Sequence, residues 1–349
     1  MRVVVVGATG NVGTSVLRAL ADEPRVRSIV GIARRAPQMV WPKTSWVKAD
    51  ISRDELEPHF RGVDVVVHLA WLIQPSRDMA TLEATNVLGS RRVFDAAGRA
   101  GVGALIYASS VGAYSPGPKE WRVDESWPTD GIASSFYSRH KAQVERELDA
   151  FEREFPATRT VRLRPGLIFK REAASEIRRY FAGPFLPGFL IRRPLIPVVP
   201  DVEGLRFQAV HSHDVGEAYR LAMVGDAHGA FNIAADPVLD PQELADALGA
   251  RTVKLPQRAL RWGALATWRL RLQPAPPGWV DMALSVPLLD TTRAREELGW
   301  APRHSSREAL LDLLQGLREG SGVDTPPLAP HAGGPLRVRE ILTGVGGRN

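Results

Sequence analysis

The sequence predicts an α/β fold: a parallel, doubly wound sheet accompanied by a smaller, partly helical lobe. Three observations carry this expectation. The β-branched run Arg2-Val3-Val4-Val5-Val6 leads directly into the glycine-punctuated turn Gly7-Ala8-Thr9-Gly10-Asn11-Val12-Gly13. Strand-like and helix-like segments then alternate as far as Arg164, and after Arg164-Pro165-Gly166 the chain changes character.

The elements follow in order. An unbroken apolar run such as Val3–Val6 suits a strand covered on both faces. Residues 11–21 read as a helix with Val12, Val16, Leu17 and Leu20 on one face. Further strands are expected at 28–33, 46–49, 63–69, 104–108 and 160–164. Helices are expected at 84–100, with Val87, Val93, Phe94 and Ala97 as its stripe, and at 137–154. Residues 183–200 are too rich in Pro and Gly for a long helix and read as loops of a separate lobe. Residues 207–211 suit a strand, with Asp214 capping a helix over 215–223. Asp240-Pro241-Gln242-Glu243 and Ser305 with Glu308 are helix starts, and Gly299 stops a helix over 292–298. Beyond Gly320, Pro and Gly dominate, and compact structure is expected only near 336–342.

Composition narrows the class. The chain has 349 residues, 44% hydrophobic and 24% charged, as ordinary globular proteins do. The absence of cysteine excludes disulfides, thiolate catalysis and Cys-ligated zinc. The net charge is +6, but the 45 basic residues are interspersed with 39 acidic ones, so a nucleic-acid partner is not expected. No apolar run is long enough to span a bilayer, and Met1 leads straight into the first strand. The expected location is the cytoplasm, without a membrane partner.

The first turn has the chemistry of a phosphate cradle. Gly7 permits the tight turn, Gly10 lets the backbone approach a pyrophosphate, and Gly13 lets the following helix pack closely on the strand. The helix then aims its free N–H groups at the anion. Tyr137 and Lys141 stand four apart and share a helix face. A free phenol, with a pKa of about 10, is a poor base at neutral pH. A neighbouring ammonium is expected to lower it, so that Tyr137 exchanges a proton with a substrate oxygen. Ser109 and Ser110 end the strand at 104–108, at the sheet edge where open α/β folds bind ligands.

With the glycine turn, these residues resemble the short-chain dehydrogenase/reductase superfamily, and more narrowly its extended branch, the NAD-dependent epimerase/dehydratase family. Asp50-Ile51, His68-Leu69-Ala70, Asn86-Val87-Leu88-Gly89, Leu163-Arg164-Pro165-Gly166, His211-Ser212-His213-Asp214 and the segment from Thr292 to Trp300 carry the likeness further, over roughly residues 1–315. The resemblance implies a Rossmann-type domain formed by residues 1–169 and 207–235. A substrate-binding lobe would comprise 170–206 and 236–319, followed by a tail at 320–349. It implies that Ser110, Tyr137 and Lys141 are catalytic: Ser110 orients the substrate oxygen, Tyr137 is the acid/base, and Lys141 tunes the phenol and holds the nicotinamide ribose. It assigns the cofactor to Gly7, Thr9, Gly10, Asn11, Val12, Gly13, Arg34, Arg35, Asp50, Ile51, Leu69, Ala70, Asn86 and Ser109, together with Tyr137 and Lys141. A homodimer is a fair expectation on the same ground.

Within the family, the second strand ends Gly31-Ile32-Ala33-Arg34-Arg35, with no acid to hold ribose hydroxyls. Guanidinium groups suit a 2′-phosphate, which favours NADP over NAD. No carboxylate follows the serine in Val111-Gly112-Ala113-Tyr114, which disfavours dehydration. Phe207 stands where epimerases of the family place an arginine, and Lys170-Arg171 replaces their Gly-Pro, so a nucleotide-diphosphate substrate is doubtful. Arg178, Arg179, Arg192 and Arg193 are candidate substitutes, and Tyr180, Phe181, Phe185, Phe189, Trp262, Trp268 and Trp279 are candidates for an apolar pocket or for packing. The expected reaction is hydride transfer between NADP(H) and a carbonyl or secondary alcohol of a small molecule. Epimerisation of a nucleotide sugar is the alternative, and a non-catalytic dinucleotide sensor the third. His211 and His213 lack a third ligand, so no metal is expected, and His140 is expected to be exposed.

Overall fold

In the computed structural model, which describes residues 1–37, 39–184, 196–330 and 345, seven parallel strands form the central sheet. They are β1 (Arg2–Val6), β2 (Ser28–Ala33), β3 (Thr44–Lys48), β4 (Val65–His68), β5 (Ala104–Ala108), β6 (Arg159–Pro165) and β7 (Gly229–Ile233). Their spatial order is β7-β6-β5-β4-β1-β2-β3. The order reverses between β1 and β4, which opens a crevice at the carboxyl ends of those strands.

The valine run explains its own burial. Alternate side chains of a strand face opposite ways. Val3 and Val5 enter one core with α1 (Asn11–Ala21) and Ser212–Val224. Val4 and Val6 enter a second core with Gly89–Arg99 and Phe136–Glu154, where Val93, Phe94, Val144, Leu148 and Phe151 pack. Both faces of the sheet are covered, and a run without alternation is what that requires.

Several boundaries differ from the sequence reading. The third strand begins at Thr44, because it pairs with β2 from Ile29 onward. The helix expected from Ala84 is preceded by a short α-helix, Met79–Glu83, that Asp78 caps, and its segment Ala84–Leu88 is a π-helix. Asp214 does not cap: the helix starts at Ser212, and the His211 ring accepts from the His213 amide. Asp214 instead accepts from the amides of Arg303 and His304. Only Ala209–His211 is strand, pairing with Leu167–Phe169, while Phe207 bridges Leu239. The boundaries at Asp240, Ser305 and Gly299 stand as read, the last with φ +64°.

The segment after Gly320 is not loose where it is described. Thr325 and Leu328 are buried, and the Thr325 hydroxyl donates to the Thr9 carbonyl at 2.8 Å. Arg179 binds the carbonyls of Pro327 and Ala329. A polar anchor can hold an irregular segment, and composition does not reveal it. Phe185, Phe189, Arg192, Arg193 and residues 336–342 lie outside the described residues.

Candidate active site

The strand ends bring the predicted residues to one edge of the sheet. Gly7 follows β1 with φ +88°, and a Cβ there would lie 2.6 Å from the Ala70 nitrogen. That contact presses the β1 turn against Leu69-Ala70 at the end of β4. A Cβ on Gly13 would lie 2.4 Å from the Gly7 carbonyl oxygen, so α1 packs on the turn as the spacing implied. Gly10, by contrast, has room for a Cβ, which would meet only the Gly7 carbonyl oxygen at 3.8 Å, and it is the N-cap of α1 without a side-chain cap. The α1 N-terminus therefore presents backbone donors beside an accessible glycine, and these residues fit a dinucleotide pyrophosphate.

The surroundings of that helix end escaped the sequence reading. Lys170, which replaces the family's Gly-Pro, donates to the Asn11 carbonyl at 2.8 Å and to the hydroxyls of Thr14 and Ser15 at 2.7 and 3.0 Å. Burial lowers its pKa to about 8. Glu176 is buried close to the Asn11 amide, takes a 2.8 Å hydrogen bond from Tyr180, and has its pKa raised by burial. The Asn11 side chain donates to the Ile168 carbonyl, and Val12 is half-buried behind it.

On the adenosine side, Arg34 and Arg35 are exposed at the end of β2. Burial and the charges of Arg34 and Arg179 all lower the pKa of Arg35, so three guanidinium groups gather there. Asp50 follows β3 and holds the amide and hydroxyl of Ser52; Ile51 is buried beneath Gly89. Asn86 is fully buried and grips the loop after β4, accepting from the Leu72 amide at 2.7 Å and donating to the Leu72 carbonyl at 2.8 Å.

The catalytic candidates converge from β5 and the helix Phe136–Glu154, which is capped by Ser135. Ser110 faces the Tyr137 hydroxyl. Gly112 leaves room for the phenol, since a Cβ there would lie 2.9 Å from its ring. Ser138, next to Tyr137, donates to the Gly112 carbonyl and accepts from the Ile132 amide at 2.6 Å. It ties the strand end bearing Ser110 to the helix bearing Tyr137. Ser109 turns the other way and donates to Glu145, which is held by Arg162 and Arg164. The two arginines keep Glu145 ionised, with its pKa lowered to about 2 despite burial.

The electrostatics depart from the expectation for the phenol. Burial raises the Tyr137 pKa to about 12, and only the Ser110 hydroxyl offsets it. The Lys141 ammonium donates to the Ala108 carbonyl at 2.6 Å and lies 5.9 Å from the Tyr137 ring centre but only 3.6 Å from that of Trp71. Burial lowers the Lys141 pKa to about 7. Desolvation of both groups outweighs their mutual influence in this state.

The phenol sits among aromatic rings. Trp71 meets it edge-on at 5.8 Å, Trp279 lies 4.9 Å away, and Phe181 is 4.9 Å from Trp279. Trp71 was missed; its place three residues past the end of β4 was the available signal. Tyr180 is committed to Glu176, Trp268 stacks on Arg77, and Trp262 is exposed. His140 is half-buried against Phe136 rather than exposed. His211 stacks on His304 at 4.1 Å and bonds Asp312. Among the described residues, no group of three or more His, Asp or Glu side chains is arranged to hold a metal ion, and no helix is long and apolar enough to cross a membrane.

The crevice and glycine cradle are those of a Rossmann-type α/β fold, and the chain belongs to the NAD-dependent epimerase/dehydratase family, whose sequence model matches residues 3–234. An uncharacterised Mycobacterium tuberculosis protein is 26% identical over 328 residues, covering 93% of this chain but 31% of that protein. The chain thus spans about a third of the length of that relative. A decarboxylating sterol-4-alpha-carboxylate 3-dehydrogenase of Saccharomyces cerevisiae is 23% identical, covering 91% of this chain and 98% of that protein. Among solved structures, the UDP-glucose 4-epimerase of Thermotoga maritima with UDP-glucose superposes with a TM-score of 0.68 at 22% identity, covering 91% of this chain and 99% of that one.

Proposed function

We propose that this protein transfers hydride between NADP(H) and a carbonyl or secondary alcohol on an apolar small molecule. One observation carries the reading: the phenol of Tyr137 lies beside Ser110 and within a wall of Trp71, Trp279 and Phe181. Such a wall suits a hydrocarbon-rich substrate better than a sugar diphosphate. The sterol carboxylate named for the yeast dehydrogenase, a hydrocarbon skeleton bearing one charged group, is in keeping with it.

The roles follow from the chain's own residues. Gly7, Gly10 and Gly13 with the first amides of α1 would hold the pyrophosphate, and Arg34 and Arg35 a 2′-phosphate. The bound dinucleotide supplies the hydride. Ser110 orients the substrate oxygen, and Tyr137, kept protonated by burial, holds at its Oη the proton that the oxygen of a reduced carbonyl takes up. Lys141 would supply positive charge near neutral pH as its proton occupancy changes.

The test is absorbance of the nicotinamide with a panel of apolar ketones and secondary alcohols. Net NADPH oxidation with a ketone is expected. Product from a UDP-sugar without net change of cofactor would instead establish the epimerase reading.

A further inference from the structure

We propose that the helix Gln257–Arg269 and the turn after it dock this protein onto an anionic lipid surface. The overall charge balance hides a local extreme. Residues 247–280 contain Arg251, Lys254, Arg258, Arg261, Arg269 and Arg271 and no Asp or Glu. Among the described residues, only Arg261 of these six has an acidic partner, Asp281 at 2.8 Å.

The helix itself is amphipathic yet has no buried residue. A surface helix ordinarily holds its place by burying an apolar stripe. Here the inward stripe of Leu260, Ala264, Leu265 and Trp268 is only half-buried, and polar pins add to the hold: Arg261 on Asp281, Gln257 on the Glu203 carbonyl at 2.9 Å, and Arg77 against the Trp268 ring at 4.2 Å. Its outward face places Arg258, Trp262, Ala266 and Arg269 in register, followed by Leu270. Trp262 is 66% exposed, Leu270 70% and Leu272 47%, with Val253 48% exposed on the strand Arg251–Lys254 just before the helix.

Bulky apolar groups interleaved with unpaired arginines are the signature of a helix that lies in a membrane interface. The tryptophan and leucines enter the acyl boundary while the guanidinium groups meet lipid phosphates. Charge complementarity selects this occupant. A second copy of the chain would set the same surplus of basic groups against itself, and a nucleic acid would leave Leu270, Leu272 and Val253 without an apolar partner. This association is peripheral, and it requires no membrane-spanning segment.

The test is co-sedimentation of the full chain with vesicles of phosphatidylcholine alone and of phosphatidylcholine with phosphatidylglycerol. Binding is expected only to the anionic vesicles, weakening as salt rises. Arg258→Glu with Arg269→Glu should lower the partition coefficient at least about tenfold, and Trp262→Glu should lower it comparably, while circular dichroism stays unchanged. These side chains are exposed, so folding is not at issue. The proposal is overturned by any of four results: no binding to anionic vesicles, equal binding to neutral ones, binding that the variants leave intact, or patch-dependent self-association or duplex binding without vesicle binding. None of these outcomes bears on cofactor binding or hydride transfer, which are read separately.

Discussion

The Lys141 ammonium lies 3.6 Å from the centre of the Trp71 indole and donates to the Ala108 carbonyl, so the buried lysine is held by a ring and a backbone oxygen rather than by a carboxylate. Its lowered pKa, about 7, makes a stability prediction with a definite sign. Between pH 7 and the ordinary lysine range, the unfolded chain keeps a proton that the folded one has lost. Stability contributed by this site is therefore complete above the unfolded pKa and lost as pH falls through about 7. Wild type should gain stability relative to Lys141→Met as pH rises from about 7 to 10, with a limiting slope of about 1.4 kcal/mol per pH unit. Parallel denaturation curves at each pH check this; equal slopes would remove the assignment.

Tyr137→Phe should lower kcat by about 10²-fold or more while leaving the dissociation constant for the dinucleotide within about twofold. The hydroxyl carries the proton, and the ring keeps its packing on Trp279. Steady-state kinetics with calorimetry separates the two effects. A variant that turns over normally would show that another group carries the proton.

Ser138→Ala tests the tie between strand end and helix. It removes the partner of two buried backbone groups, the Gly112 carbonyl and the Ile132 amide. A loss of about 1–3 kcal/mol in chemical denaturation is expected. A fall in kcat beyond that of a control variant of equal instability would mark Ser138 as a positioning residue.

Glu176→Gln should tighten dinucleotide binding. The carboxyl lies against the Asn11 amide at the start of α1, where an anionic ligand would use the same positive helix end. Calorimetry should show a lower dissociation constant for the variant; a higher one would mean that Glu176 supports the cradle instead of competing with the ligand.

Arg35→Ala should weaken NADP(H) several-fold and leave NAD(H) nearly unchanged, because only the former carries a 2′-phosphate for the guanidinium. Ratios of kcat/KM for the two cofactors decide it. An equal loss for both would assign Arg35 to the adenine or to the fold.

The sheet was legible because its strands carry their burial in their composition: Val3–Val6 and Val65–Val67 could lie only where both faces are covered. The turn after β1 was legible because its demands lie within it: Gly7 takes φ +88°, and Gly13 packs against the Gly7 carbonyl. What stayed hidden depends on contacts distant in the chain. Thr325 reaches Thr9, Lys170 reaches Asn11, and Trp71 reaches Lys141 across the sheet edge. The phenol's pKa followed the same rule: spacing put Lys141 on its face, but burial, which a sequence does not state, set the direction. Asp214 was misplaced because its partners, Arg303 and His304, arrive from the far end of the chain.

The central claim is that the crevice between β1 and β4 holds a pyridine dinucleotide within reach of Tyr137. Isothermal titration of the purified protein with NADPH and NADH tests it most directly. Saturable binding of one dinucleotide per chain is expected, tighter for NADPH and abolished by Gly10→Glu, which would set a carboxylate in the cradle. Absence of heat for both dinucleotides, or binding that the Gly10→Glu change leaves untouched, would contradict it.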